Sequence, residues 1–195
     1  RDDDATVRAI ALESLVRLLG DESHRLLLAT LDERDSSTVG NVHVAALEGL
    51  ARTGDLGDVD DLFRFTTKSH PRWVRVTAMD TITDLLKQAD PDRRTKAQRA
   101  FIAKVAPLLE HPDLRIRQAA VRSFEAAHTD DLAILERFAT ATRVDHEREH
   151  ARRTLTEVRN PIEHDDDALE DRVKALEGRL DAAGDRLDAL EEWRR

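Results

Sequence analysis

A short pattern of residues recurs five times along this 195-residue chain, and it constrains the fold more than any other feature. Each copy has an aliphatic residue followed by Arg or His, then an alanine one helical turn on, then a large apolar residue one turn further. Such spacing places the apolar side chains on one face of an α-helix. The copies begin at Val7, Val42, Val74, Ile116 and, with an acidic residue in the aliphatic position, Glu147. The small alanines predict close packing between neighbouring helices: Ala11, Ala46, Ala78, Ala120 and Ala151.

A second amphipathic segment lies between successive copies, at residues 22–33, 59–68, 95–110 and 132–142. Gly, Asp and Pro residues separate the segments, as is typical of helix ends and turns. A helix pair of this length cannot bury its own apolar face, so it must stack on its neighbours. We therefore predict an all-α, right-handed α-solenoid of about five helix pairs over residues 1–160, with an irregular helical bundle as the alternative. The first pair lacks its first helix, so residue 1 is expected to be a boundary within a longer protein.

Two segments resemble HEAT repeats of the armadillo-type α-solenoid family: PRWVRVTAMDTITDLL at 71–86 and PDLRIRQAAVRSFEAA at 112–127. In that family the second helix of a pair opens with Pro, then Val-Arg, then Ala and Leu. The resemblance implies a surface for protein–protein interaction and a ladder of stacked basic residues that pair with acidic groups, for which Asp4 and Asp113 are suitably placed. The ladder residues are Arg8, His43, Arg75, Arg117 and Arg148.

Composition excludes some classes of site and disfavours others. The chain has no cysteine, so it has no disulfide and no Cys-ligated metal. Its net charge of -9 argues against a nucleic-acid partner, although residues 93–104 hold a basic stretch. No apolar run is long enough to span a membrane, and no signal peptide is visible, so we expect a cytoplasmic protein without cofactors. Trp73 is expected to pack between helices.

One motif carries possible metal chemistry. His146-Glu147-Arg148-Glu149-His150 matches H-E-x-x-H, in which two histidines one turn apart bind zinc and the glutamate acts as general base. A catalytic site also needs a third ligand, and the position nineteen residues after His150 holds Leu169. The motif also coincides with the fifth repeat and lacks an apolar surround. We predict no metal site, with His146 and His150 as weak surface candidates.

The last 35 residues change to a heptad pattern, which is typical of a coiled coil. In a parallel pair, Arg172 would face Glu177 and Arg186 would face Glu191, whereas an antiparallel pair would oppose arginines. A parallel homodimer is the favoured arrangement for residues 161–195, and a single helix that folds back or stays free is the alternative. The predicted seam consists of Leu169, Val173, Leu176, Leu180, Leu187 and Leu190. Ala183 occupies the seam position between Leu180 and Leu187.

These observations favour a non-catalytic module that binds another protein, or another domain of its own chain, as a scaffold. The main alternative rests on a second resemblance, to the C-terminal HEAT-like domain of bacterial zinc aminopeptidases of the aminopeptidase N type, whose catalytic domain would lie upstream of residue 1. A weaker alternative is a helical-repeat DNA glycosylase. This fragment itself is expected not to be an enzyme.

Overall fold

The computed structural model describes residues 5–33 and 39–160, and all regular structure in these ranges is helical. The long helices are α1 (Ala5–Leu19), α3 (Val39–Thr53), α5 (Arg72–Gln88), α6 (Pro91–Val105) and α9 (Asp145–Arg159). The shorter ones are α2 (His24–Leu31), α4 (Val59–Leu62), α7 (Leu114–Ser123) and α8 (Leu132–Ala141). Short 3-10 segments extend several of them, as at Phe63–Thr66 after α4 and Ala106–Glu110 after α6.

The helices form two layers, as predicted for an α-solenoid. The second helices of the pairs, α1, α3, α5, α7 and α9, pack in that order, each against the next. The first helices, α2, α4, α6 and α8, cover one side of that layer, each packed with its 3-10 extensions against the second helix that follows it. The described residues therefore contain four complete pairs and the unpaired helix α1, so the predicted count of about five pairs is close.

Capping residues explain where the helices begin. The Asp113 carboxylate accepts a hydrogen bond from the Arg115 backbone N–H at the start of α7 (2.9 Å). Asp90 does the same for Asp92 (2.9 Å), and Pro91 occupies the first helical position, where its missing N–H removes no bond. Because of this cap, α6 begins four residues before the predicted position 95.

The alanine prediction holds for four copies and is wrong for the first. Ala46, Ala78, Ala120 and Ala151 are fully buried, but Ala11 is exposed and Val7 is 45 % exposed. In the first copy, Leu12 and Val16 enter the core instead. The reason is that α1 has a second-helix neighbour on one side only among the described residues, and it turns a different stripe toward that neighbour.

The chain divides into two compact units, Arg1–Asn160 and Pro161–Arg195. All of the helices given above belong to the first unit, and the predicted tail lies outside the described residues. The boundary between repeat domain and coiled coil therefore stays a prediction. None of the described helices is long and apolar enough to cross a membrane.

Candidate protein-binding face

The ladder residues bind backbone carbonyls at the end of the preceding first helix. Arg75 Nε donates to the Thr66 carbonyl oxygen (3.1 Å), and Arg117 Nη1 donates to that of His111 (2.7 Å). Arg148 Nη2 donates to the Thr142 carbonyl oxygen (2.8 Å). These carbonyls have no partner within their own helix, so the ladder residues satisfy them and fix the turn inside each pair.

The first two ladder residues share one region of contact. His43 Nε2 lies 3.3 Å from the Glu33 carbonyl oxygen, which follows α2. Arg8 forms an ion pair with the Glu33 carboxylate and so joins α1 to the next pair. These contacts connect the repeats, and that the five residues form one structural ladder along the stack stays a prediction.

The acidic partners differ from those expected. Asp113 Oδ2 accepts from Arg72 Nη1 (3.2 Å) rather than from a ladder residue, because its other oxygen caps α7 and holds it at the helix start. Asp4 lies outside the described residues. Arg117 instead donates from Nε to Glu147 Oε1 (2.8 Å), and Glu147 is only 3 % exposed.

The H-E-x-x-H residues are placed within the last repeat. His146 Nε2 lies 2.9 Å from Gln118 Nε2 of α7, and Glu147 accepts from Arg117 and from Thr142 Oγ1 (3.1 Å). Glu147 is therefore occupied by structural bonds. Burial lowers the pKa of His150, and the guanidiniums of Arg153 and Arg122 lower it further. Within residues 5–33 and 39–160, no three His, Asp or Glu side chains converge in a way that would hold a metal ion.

Most of the basic stretch at residues 93–104 makes local contacts. Arg94 Nη1 donates to the carbonyl oxygens of Leu86 (3.2 Å) and Lys87 (3.3 Å) at the end of α5. Lys104 Nζ lies 3.5 Å from the centre of the Phe63 ring. These contacts connect α6 to its neighbours. The side chains of Arg94 and Lys104, which the sequence pattern alone would leave available to bind phosphate, therefore make contacts within the fold.

The side of the second-helix layer that faces away from the first helices is here called the free face. Ion pairs connect neighbouring helices across it. Arg122 of α7 donates from Nε and Nη2 to the two carboxylate oxygens of Asp80 on α5 (3.0 and 2.8 Å). Lys87 Nζ donates to Glu125 Oε2 (2.9 Å). Burial raises the pKa of the Asp80 carboxyl despite the bonds from Arg122.

These residues of the free face were missed in the sequence. A signal was nevertheless present, because Asp80 and Arg122 each stand five residues after a ladder residue. The same offset holds a charged residue in every copy: Glu13, Glu48, Asp80, Arg122 and Arg153. The ion pair itself could not be predicted, since its partners are 42 residues apart in the chain.

Trp73 stands on the free face near the start of α5 and is 52 % exposed. Only one edge of its indole packs between helices: a methyl group added at Gly40 of α3 would lie 2.8 Å from Trp73 Nε1 and 3.4 Å from Cε2 and Cζ2. The expectation that Trp73 is packed between helices is thus half right. The absence of a side chain at Gly40 lets the indole lie directly against α3.

No protein-family model and no curated protein matches this chain. A solved structure does: a chain of the complex of CpcE and CpcF of phycocyanin lyase from Nostoc sp. PCC7120. The TM-score is 0.62 at 17 % sequence identity, and the match covers 78 % of this chain and 91 % of that chain. The fold is a HEAT-like α-solenoid. At this identity the likeness shows the fold alone.

The comparison corrects one expectation and leaves another without support. The expectation that this fragment is not an enzyme rested on missing catalytic motifs. It is contradicted by the comparison, because the solved chain with this fold comes from a phycocyanin lyase, and a lyase is an enzyme. The link to a zinc aminopeptidase finds no support in any of these matches.

Proposed function

We propose that this chain is a protein-binding helical-repeat module that receives its partner on the free face of the second helices. The observation that carries the proposal is the half-exposed indole of Trp73, which lies directly against Gly40. Tryptophan buries a large area at little cost in conformational entropy and is enriched among the residues that dominate binding energy at protein interfaces.

The surroundings of Trp73 support the same use. Arg122 and Asp80 form a bidentate ion pair on the neighbouring part of the face, and arginine is also enriched at interfaces. The similar solved chain comes from a complex of two proteins, CpcE and CpcF. The complex is a property of those two proteins, and it supports a protein as the class of partner proposed for this chain.

Peptide display against the purified full chain tests the proposal. Peptides selected on the wild type should bind Trp73→Ala at least about tenfold more weakly, because an anchor of this kind contributes on the order of 2 kcal/mol. Gly40→Ala should weaken binding as well, since its methyl group displaces the indole.

Leu18→Ala is the matched control. Leu18 is the most exposed large apolar residue described, at 80 %, and it lies on α1, away from Trp73. Its removal should leave binding unchanged. Selected peptides that bind Trp73→Ala as tightly as the wild type would contradict the proposal.

A second part of the proposal concerns residues 161–195. We propose that this tail pairs two copies in parallel through the seam that begins at Leu169. The support is the heptad pattern together with the favourable Arg172–Glu177 and Arg186–Glu191 pairings that only a parallel register provides.

A further inference from the structure

Two rows of charged residues run across the free face, from α1 to α9. The first row stands five residues after each ladder residue; it is acidic on α1, α3 and α5 and basic on α7 and α9. Its members are Glu13, Glu48, Asp80, Arg122 and Arg153. The second row stands four residues further on; it is basic on α1 and α3 and acidic on α5 and α9, with an alanine in the position beyond α7. Its members are Arg17, Arg52, Asp84, Ala126 and Glu157.

Both rows are accessible. Every charged member is exposed or half-exposed. Arg122 binds Asp80, and Arg153 Nε lies 3.6 Å from Glu157 Oε1. Glu48, Arg52 and Asp84 have no ion pair within the described ranges. The face therefore carries unneutralised charges of both signs in a fixed order.

This order is self-complementary under one two-fold rotation. Consider an axis that lies on the free face, parallel to the helices, between α5 and α7. The rotation sets α5 opposite α7 of a second copy and α3 opposite its α9. Asp80 then faces Arg122 of the second copy, Glu48 faces its Arg153, and Arg52 faces its Glu157. Each of these three pairs brings a negative side chain opposite a positive one. An isologous interface needs such self-complementary charge.

The aromatic anchor fits the same rotation. Trp73 stands two residues before ladder residue Arg75, and exposed Arg115 stands two residues before Arg117. Because α5 faces α7 of the second copy, Trp73 faces Arg115 of that copy. A guanidinium over an indole is the favourable cation–π arrangement.

The available area suits a stable pair. Helices α3, α5, α7 and α9 are spaced about 9 Å apart, and 15 residues rise about 22 Å, so the face offers roughly 800 Å² per copy. Specific interfaces bury about 1,200–2,000 Å² in total. We infer that the partner of the free face is a second copy of this chain, paired about this two-fold axis. The inference rests on the proposed function, in that it names the partner of the same face.

Cysteine cross-linking tests the register, because the chain has no cysteine of its own. Two full-length variants, Glu48→Cys and Arg153→Cys, are mixed in equal amounts under mild oxidation. The expected product is a disulfide-linked heterodimer, with a yield that falls several-fold in 0.5 M NaCl because salt screens the charge pairs. Each variant alone should give at least about fivefold less dimer, since its symmetry mate is far from it.

Glu13→Cys mixed with Arg153→Cys is the register control. The proposed pairing places these residues about one helix spacing apart, beyond the roughly 4 Å between Cβ atoms that a disulfide needs. Equal yields for the 13–153 and 48–153 mixtures, a dominant 48–48 product, or no cross-link in any mixture would overturn the inference. If no cross-link forms while Trp73→Ala still abolishes peptide binding, the face binds a different protein and the proposed function stands. If both experiments fail, neither holds.

Discussion

Glu147 shows how one residue in an unexpected position becomes structural. The other four copies have an aliphatic residue there, and that position is buried in three of them. A buried carboxylate is unfavourable unless it is paired and hydrogen-bonded. Arg117 Nε and Thr142 Oγ1 each donate a hydrogen bond to the Glu147 carboxylate, and Arg117 Nη1 donates to the His111 carbonyl oxygen. The same residue that completes an H-E-x-x-H motif in the sequence therefore joins the last two repeats.

Glu147→Ala should lower the free energy of unfolding by about 3 kcal/mol. Removing one partner of a buried ion pair leaves the other uncompensated, here the guanidinium of Arg117. Urea titration followed by circular dichroism measures the change. Glu149→Ala is the control, because Glu149 is exposed on the same helix and its loss should have an effect within about 0.5 kcal/mol. A loss below about 1 kcal/mol for Glu147→Ala would show that the pair is not structural.

At the scale of the elements, the turn within the α4–α5 pair contains a cluster of rings. The Phe65 ring lies 5.5 Å from His43 and 4.9 Å from His70, measured between ring centres. Burial lowers the pKa of His43, and the positive charges near it, of His70 and Arg64, lower that pKa further. The hydrogen bond to the Glu33 backbone raises the pKa of His43 but does not cancel the effect of burial. Burial and then Arg64 lower the pKa of His70. Both pKa shifts thus favour the neutral form of the ring.

This cluster should make stability depend on pH. A lowered pKa means that, below about pH 6.5, the unfolded chain binds more protons than the folded one, so the free energy of unfolding decreases as the pH falls from 6.5 toward the folded pKa values. Urea titrations at pH 7.5 and 6.0 should show lower stability at pH 6.0. His150, whose pKa is also lowered, contributes in the same direction.

His70→Gln identifies the contribution of the cluster. It should reduce the difference in stability between pH 7.5 and 6.0, because one of the two histidine rings of the cluster can no longer titrate. Equal pH dependence in the wild type and His70→Gln would exclude the cluster as its source.

At the scale of the whole molecule, the protein has one end where apolar residues stay exposed. Val7, Ile10 and Leu18 of α1 are all at least 45 % exposed. The same helix buries its opposite side against α3, and no other second helix packs on its exposed side within the described residues. The interior pairs, by contrast, bury both sides of each second helix against its neighbours.

The tail makes a separate prediction at this scale. In 0.5 M NaCl, where pairing through charges on the free face is weakened, light scattering of the full chain should give the mass of a dimer. Leu180→Asp places a charge in the heptad seam and should give the mass of a monomer. Lys174→Ala, at a position outside the seam, should leave the dimer intact. A monomeric wild type under these conditions would remove the tail as a dimerisation element.

The helices and their stacking could be predicted from the sequence because both depend on local spacing. Apolar residues one turn apart define a helix face, and Pro and Asp residues mark its ends, as Pro91 and Asp113 do. Details set by packing were not predictable in this way. The first copy, for example, has the same pattern as the others, but exposes Ala11 because, among the described residues, α1 has a second-helix neighbour on one side only.

The sequence by itself therefore determined the all-helical class and the repeat, since the apolar spacing within each helix and its recurrence along the chain are both visible in one sequence. Only the tertiary structure decided which side chains meet between repeats. Asp80 and Arg122, or Gly40 and Trp73, come together because stacked helices approach within about 10 Å, a distance that depends on every side chain between them. Pairing across repeats is a property of that packing, and no local pattern encodes it.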